Sequence, residues 1–259
     1  MKELVSNFKQ YTPLLNELVT RDIKTKYRRS VLGVLWTLLN PLLMMTVLSI
    51  VFSQLFGRFN IDNYPIYLLS GQVIFNFFSE STTMSMSSII NNAPLLKKVY
   101  IPKYMFVLSR TVSSAINLFA SFAALIIVMF VTRADLHYTV ALAIVPILAL
   151  VMFSVGVGLM LAAFAVKFRD IVHLYSVFTT VLMYLTPVIY PIESLPEWVA
   201  VLVRINPITS ILTMFRGFML YGVMPDIFTC CMTFIPSIFV FLLGAVVFYK
   251  KQDDFILYV

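Results

Sequence analysis

From Val31 to Phe56 the chain carries no charged residue, and at Ser30 this apolar run meets a basic stretch, LLNELVTRDIKTKYRR at 14–29. A run of that length exceeds the ~20 residues an α-helix needs to cross the hydrocarbon core of a bilayer. The stretch before it is amphipathic. Leu14, Leu15, Leu18, Val19, Ile23 and Tyr27 recur at helical spacing and share one face. Arg21, Lys24 and Arg28 fall on another, with Lys26 and Arg29 close by. Glu17–Arg21 and Asp22–Lys26 stand at i,i+4 in the favourable order. The pattern predicts a helix lying in the headgroup plane, apolar side down, cations toward anionic lipid.

Composition agrees. Hydrophobic residues make up 60% and charged residues 12% of the chain, and mean hydropathy is +0.92. These values exclude an ordinary soluble domain and fit an all-α polytopic membrane protein. The net charge of +7 sits beside apolar runs, so lipid and positive-inside sorting explain it better than nucleic acid does. No apolar signal region occurs in the first thirty residues, so the first span is expected to act as the insertion signal. Cys230 and Cys231 are adjacent inside an apolar run and form no disulfide or metal pattern.

Two parts follow: a cytoplasmic tail and interfacial helix over 1–30, and a membrane domain over 31–259. Six spans are expected at about 31–56, 64–90, 105–131, 139–165, 172–187 and 227–249. Pro41 should kink the first, and Asn40 beside it needs a polar partner. The second ends in SESTTMSMSS, where Glu80 is an intramembrane carboxylate whose expected partner is Arg110 on the third. Residues 91–104, NNAPLLKKVYIPKY, predict a short amphipathic helix of two turns, with Pro94 suited to its first position. Gly156 and Gly158 permit close helix contact. Ser176, Thr180, Met183 and Pro187 make a mildly polar stripe, which suits either a pore wall or helix–helix contact. The proline-interrupted but apolar stretch 187–226 reads as a re-entrant helix pair, and QDDFILYV trails after Lys251.

Charge placement supports this topology with both termini inside. Seven Lys and Arg precede Ser30, four lie at 97–110, two at 167–169 and two at 250–251. Only Arg58, Arg133, Arg204 and Arg216 fall outside. No phosphate loop GxxxxGK[ST], no HExxH and no GxSxG occurs, and His137 and His173 lack ligand spacing, so no metal site is expected. Work must be driven by an ion gradient or by another chain. An ion-coupled carrier would need more buried titratable groups than Glu80 alone.

Four ordered motifs carry a resemblance. RDIKTKYRRSVLGVLWTLLNPLLMM at 21–45, NNAPLLKKVYIPKY at 91–104, KFRDIVHL at 167–174, and the 187–217 stretch with LPEW, INPIT and FRG resemble ABC-2 type permeases that export polysaccharide. O-antigen, capsule and teichoic acid exporters share the pattern, and exporters of small hydrophobic compounds remain an alternative. The resemblance implies a homodimer in the inner membrane. Each subunit would bind a separate ATPase that holds ATP and Mg, with no cofactor on this chain. A coupling helix would fall on 94–100 and involve Pro94, Leu95, Leu96, Lys97, Lys98 and Tyr100. Gate helices would lie within about 191–220. The substrate would be a glycan on undecaprenyl diphosphate, its headgroup meeting Arg21, Lys24, Arg28 and Arg29. Its sugars would pass Trp36, Asn40, Ser176, Thr180, Tyr184 and Tyr190, although a belt or packing role is equally open to the aromatic residues.

Overall fold

The computed structural model describes residues 2–28, 30–56, 61, 63–99 and 101–258, with backbone alone for 2–10 and Tyr27. Two expected contact residues, Arg29 and Tyr100, lie outside the described residues. The described chain is all helical, with no strand.

Helix α1, Lys2–Tyr27, leads by way of a 3₁₀ turn at Gly33–Leu35 into α2, Trp36–Phe56. Asn63 then starts α3, Tyr64–Met86. Its side chain accepts the Ile66 N–H, and Pro65 follows in the first turn, where no N–H is missed. Two short helices follow, α4 at Ser88–Asn91 and α5 at Ala93–Leu96. Long helices α6, Tyr104–Val131, and α7, Ile144–Ala165, come next, then the short α8, Ile171–Tyr184. Helices α9, Glu197–Ile205, and α10, Pro207–Arg216, meet at 88°. The bend is local chemistry. Asn206 is extended because Pro207 disfavours a helical residue before it, and its side chain caps α10 at Ile208 N (3.0 Å). After a π turn at Gly217–Tyr221, α11 runs Ile227–Lys251, and the end folds as α12, Phe255–Tyr258.

Helix α3 is the centre. Past its first turn only Asn76, Ser79, Glu80, Thr83 and Met84 escape burial. It packs on α6 and α7, and α7 packs on α11 along a seam where Gly156 and Gly244 touch. One apolar core gathers Ile74, Phe78, Leu125, Leu150 and Phe215 around α3; a second, toward the α1 end, gathers Leu18, Ile89, Met105, Phe106 and Phe255.

Several expectations change. Four helical stretches are long and apolar enough to cross a membrane among the described residues: Gly33–Phe56, Tyr104–Val131, Tyr138–Ala165 and Ile227–Tyr258. The bent α9–α10 pair makes a fifth if counted as one span. Length and composition do not confirm the six-span count, because α3 carries too many polar groups and α8 has 14 residues. Protein covers α3 on all but one side, so most of its composition is not selected by lipid. Nor does α1 lay its greasy face on lipid: Leu15, Leu18 and Val19 are buried, with Leu15 and Leu18 in the second core. The helix expected at 94–100 is one turn, Ala93–Leu96, and not two, and Leu96 points into that core. The C-terminus does not trail, since Phe255 is buried edge-on to Phe248.

Candidate functional site: a polar junction beneath a polar groove

Two polar cavities adjoin where α1 meets α3 and α6. The first, about 510 Å³, is bordered by Arg21, Asp22, Lys26, Glu80, Asn92 and Arg110. Asp22 takes Arg110 at 2.8 Å and the Ser113 hydroxyl at 3.4 Å. Arg21 donates to Asn92 Oδ1 at 2.8 Å. Asn92 is buried and donates in turn to Ser88 O at 2.8 Å, which fixes the loop leading into α5. Lys26 donates to Glu80 Oε1 at 2.7 Å, and Asn117 donates to the same oxygen at 2.8 Å.

The expected Glu80–Arg110 pair does not form, and neither does an Asp22–Lys26 pair along α1. Helix α1 lies across α6 with Asp22 inward, and Arg110 is the cation on α6 that meets it. A buried interhelical pair outweighs an exposed i,i+4 pair worth only a few tenths of a kcal/mol. Arg21 also reaches Asp22 Oδ1 at 3.5 Å, and exposure separates the Asp22–Arg110 pair from the Lys26–Glu80 pair. Asp22 and Arg110 keep 5% and 13% of their side-chain surface exposed, whereas Lys26 and Glu80 keep 45% and 28%. Removing one member of the first pair strands a buried charge, at a cost of about 3–5 kcal/mol. The second pair contributes about 0–1 kcal/mol and opens readily.

The second cavity is a groove of about 610 Å³ between α2, α3 and α6. It shares Lys26, Glu80, Met84 and Asn117 with the first and continues past Trp36, Asn40 and Asn76. Of the expected wall residues, it brings together Trp36 and Asn40 only. Ser176, Thr180 and Tyr184 are exposed on the outward side of α8, away from the face where Tyr175 donates to Thr82 Oγ1 at 2.5 Å. Thr180 spends its hydroxyl on Ser176 O. Tyr190 donates to the Tyr184 carbonyl. Lys24 and Arg28 are exposed, and Arg28 borders a smaller hollow with Lys26. In the loop, Pro94, Lys97, Lys98 and Val99 are exposed, Leu95 is half-buried, and Leu96 is withdrawn into the core.

A third cavity, about 610 Å³, lies at the other end, beside the buried Arg216. Arg216 was expected as an outer-side charge. It is 5% exposed and spans four groups: Ser70 Oγ at 3.1 Å, Pro187 O at 2.7 Å, Tyr67 O at 2.9 Å and Val188 O at 3.1 Å. The Tyr67 ring lies 3.4 Å from its Cζ. Tyr64 and Tyr67 hydroxyls donate to Ile189 O (2.7 Å) and Tyr190 O (2.9 Å), so α3, α10 and the 187–190 segment are one joint. A lone Arg in an otherwise apolar amphipathic helix was the available signal.

Comparison with known proteins identifies the family. Residues 13–220 match the ABC-2 type transporter family model. The chain is 30% identical over 257 residues to the O-antigen export system permease protein RfbA of Myxococcus xanthus, covering 98% of both. It is 29% identical over 215 residues to an RfbA of Klebsiella pneumoniae, covering 82% of each. With the polysialic acid transport protein KpsM of Escherichia coli, identity is 22% over 219 residues, covering 84% of this chain and 85% of that one. The chain is a multi-pass membrane protein and belongs to the ABC-2 type transporter family.

Proposed function

We propose that this chain is the permease subunit of an exporter that moves lipid-linked polysaccharide across the inner membrane. In this reading it works as a homodimer, and a separate ATPase chain supplies the energy from ATP and Mg. The observation that carries the reading is the similarity to an O-antigen export permease along 98% of both chains. The polar junction suits the mechanism. An ATPase pressing on the exposed edge of the 93–99 loop moves Asn92, and Arg21 passes that motion to α1. Asp22 and Arg110 pass it on to α6. Helix α3 crosses the bilayer inside a protein sheath, and α8 crosses together with 185–188, so six crossings place both termini in the cytoplasm. The diphosphate headgroup meets Lys24 and Arg28, which are open to it, and Lys26 beside them. Capsule and teichoic acid glycans suit the same machinery.

The docking edge is testable. Leu95→Ser with Val99→Ser removes apolar contact from the loop without touching the buried Leu96. The pair should lower recovery of the co-expressed ATPase by about tenfold or more, the equivalent of one 1.4 kcal/mol contact, while folded permease is retained. Lipid-linked glycan should also cease to stimulate ATP hydrolysis. Full recovery and full stimulation place the ATPase elsewhere.

A further inference from the structure

Helix α3 is covered on every side but one, and the open side is polar. Asn76, Ser79, Glu80 and Thr83 recur at helical spacing along it and face the groove, together with Asn117 of α6 and Asn40 of α2. Asn76 lies ten residues from the α4 end of α3, roughly 15 Å at the helical rise, which is about half the hydrocarbon thickness. Lipid chains do not solvate a carboxylate, three carboxamides and two hydroxyls spread between that depth and the helix end. The groove therefore takes a polar occupant. Carboxamides, a carboxylate and hydroxyls both donate to and accept from alcohol groups, and Trp36 stands at the side with 44% of its surface open as an apolar face. Lys26 closes one end as a phosphate-seeking cation.

We propose that the groove between α2, α3 and α6 is a binding subsite for the first sugar of a lipid-linked glycan, placed directly against a diphosphate site at Lys26. Without ligand, Glu80 occupies Lys26. A diphosphate takes the ammonium, and Glu80 stays with Asn117 and turns its freed acceptor to a sugar hydroxyl. The site thus reads the joint between phosphate and sugar and not phosphate alone. The inference rests on the export reading but concerns which groups select the substrate.

The test uses the permease–ATPase complex in lipid nanodiscs with Trp198→Phe, which leaves Trp36 as the only tryptophan on this chain. The fluorescence change caused by each ligand is taken relative to a Trp36→Phe control. Two probes are titrated: undecaprenyl diphosphate, and the same lipid bearing one N-acetylglucosamine. The sugar-bearing lipid should bind about fivefold or more tightly than the bare one, the yield of one or two added hydrogen bonds. Asn76→Leu, a change at an exposed position, should erase that difference and leave bare-lipid binding unchanged. Glu80→Gln should strengthen binding of the bare lipid, because its competitor for Lys26 is gone. Exchanging the pair, Lys26→Glu with Glu80→Lys, keeps an ion pair but should weaken both lipids. Equal binding of the two probes, or an Asn76→Leu variant that keeps the sugar preference, overturns the subsite. Weaker bare-lipid binding in Glu80→Gln, or full rescue by the exchange, makes the pair a structural tie and overturns its role. A complex that exports glycan while failing these tests leaves the export reading standing.

Discussion

Arg216→Leu should lower the thermal midpoint of the detergent-solubilised protein by roughly 10 °C. The guanidinium satisfies Pro187 O and Val188 O, and Leu offers neither a donor. Ser70 and Tyr67 suffer less, because the Ser70 hydroxyl already donates to Tyr67 O at 2.7 Å. The lost donors cost about 1–3 kcal/mol at Val188 O and less at Pro187 O, which keeps the Tyr67 hydroxyl at 3.5 Å, and loss of the cation over the Tyr67 ring adds about 1–2 kcal/mol. Relief of a desolvated charge offsets part of this. The remainder, on the order of 3 kcal/mol, converts at ~2–4 °C per kcal/mol for a chain of this size. Arg216→Lys should recover less than half, because an ammonium is a point donor and cannot fork between the acceptors. A Leu variant within about 2 °C of the parent, on the same scale, would show that the joint between α3, α10 and the 187–190 segment does not depend on this side chain.

The seam between α7 and α11 should be as intolerant. A Cβ on Gly244 would stand 2.2 Å from Gly156 O, and one on Gly156 would stand 2.5 Å from Val240 O. Both obstacles are backbone, so no rotamer change relieves them, and the helices must part by about 1 Å or more. A gap of that size forfeits a quarter to half of each dispersion contact along the seam. Alanine is intrinsically better in a helix than glycine by about 1 kcal/mol, so an uncrowded site would gain stability. Gly244→Ala should instead lose about 1–3 kcal/mol, the usual cost of overpacking. Gly244→Leu should leave α11 undocked, read as fast amide exchange along 227–251. An alanine variant more stable than the parent would mean that the seam is loose.

The periodic elements were legible from sequence because hydropathy reports what lipid selects. The long apolar helices α2, α6, α7 and α11, and the break at Asn206–Pro207, follow from runs and prolines that act locally. The polar junction was legible only as an inventory. Glu80, Arg110, Arg21 and Asp22 stand out as charges near apolar spans, but which cation meets which carboxylate depends on how α1 lies across α6, and spacing along the chain carries no record of that. Leu96 shows the same limit from the other side. Its loop is amphipathic, yet one turn of rotation decides whether a leucine faces a partner or its own core. The burial of Arg216 was hidden for a related reason. Charge counting assigns a lone arginine to the nearer water, whereas the α9–α10 bend carries it inward to carbonyls supplied by 187–188. Asn92 and Asn117 complete the network, yet an amide has no charge to mark it as a member.

The central claim is that this chain conducts lipid-linked polysaccharide under the drive of a separate ATPase. Its most direct test is transport into sealed vesicles. The permease is co-reconstituted with its ATPase in proteoliposomes loaded with a glycan-cleaving enzyme, and undecaprenyl-diphosphate-linked glycan is supplied in the outer leaflet together with ATP and Mg. The account predicts glycan cleaved inside the vesicles at a rate that depends on ATP, that disappears with an ATPase unable to hydrolyse it, and that persists when proton and sodium gradients are collapsed. Cleavage that ignores ATP, or that stops only when an ion gradient is removed, would contradict it.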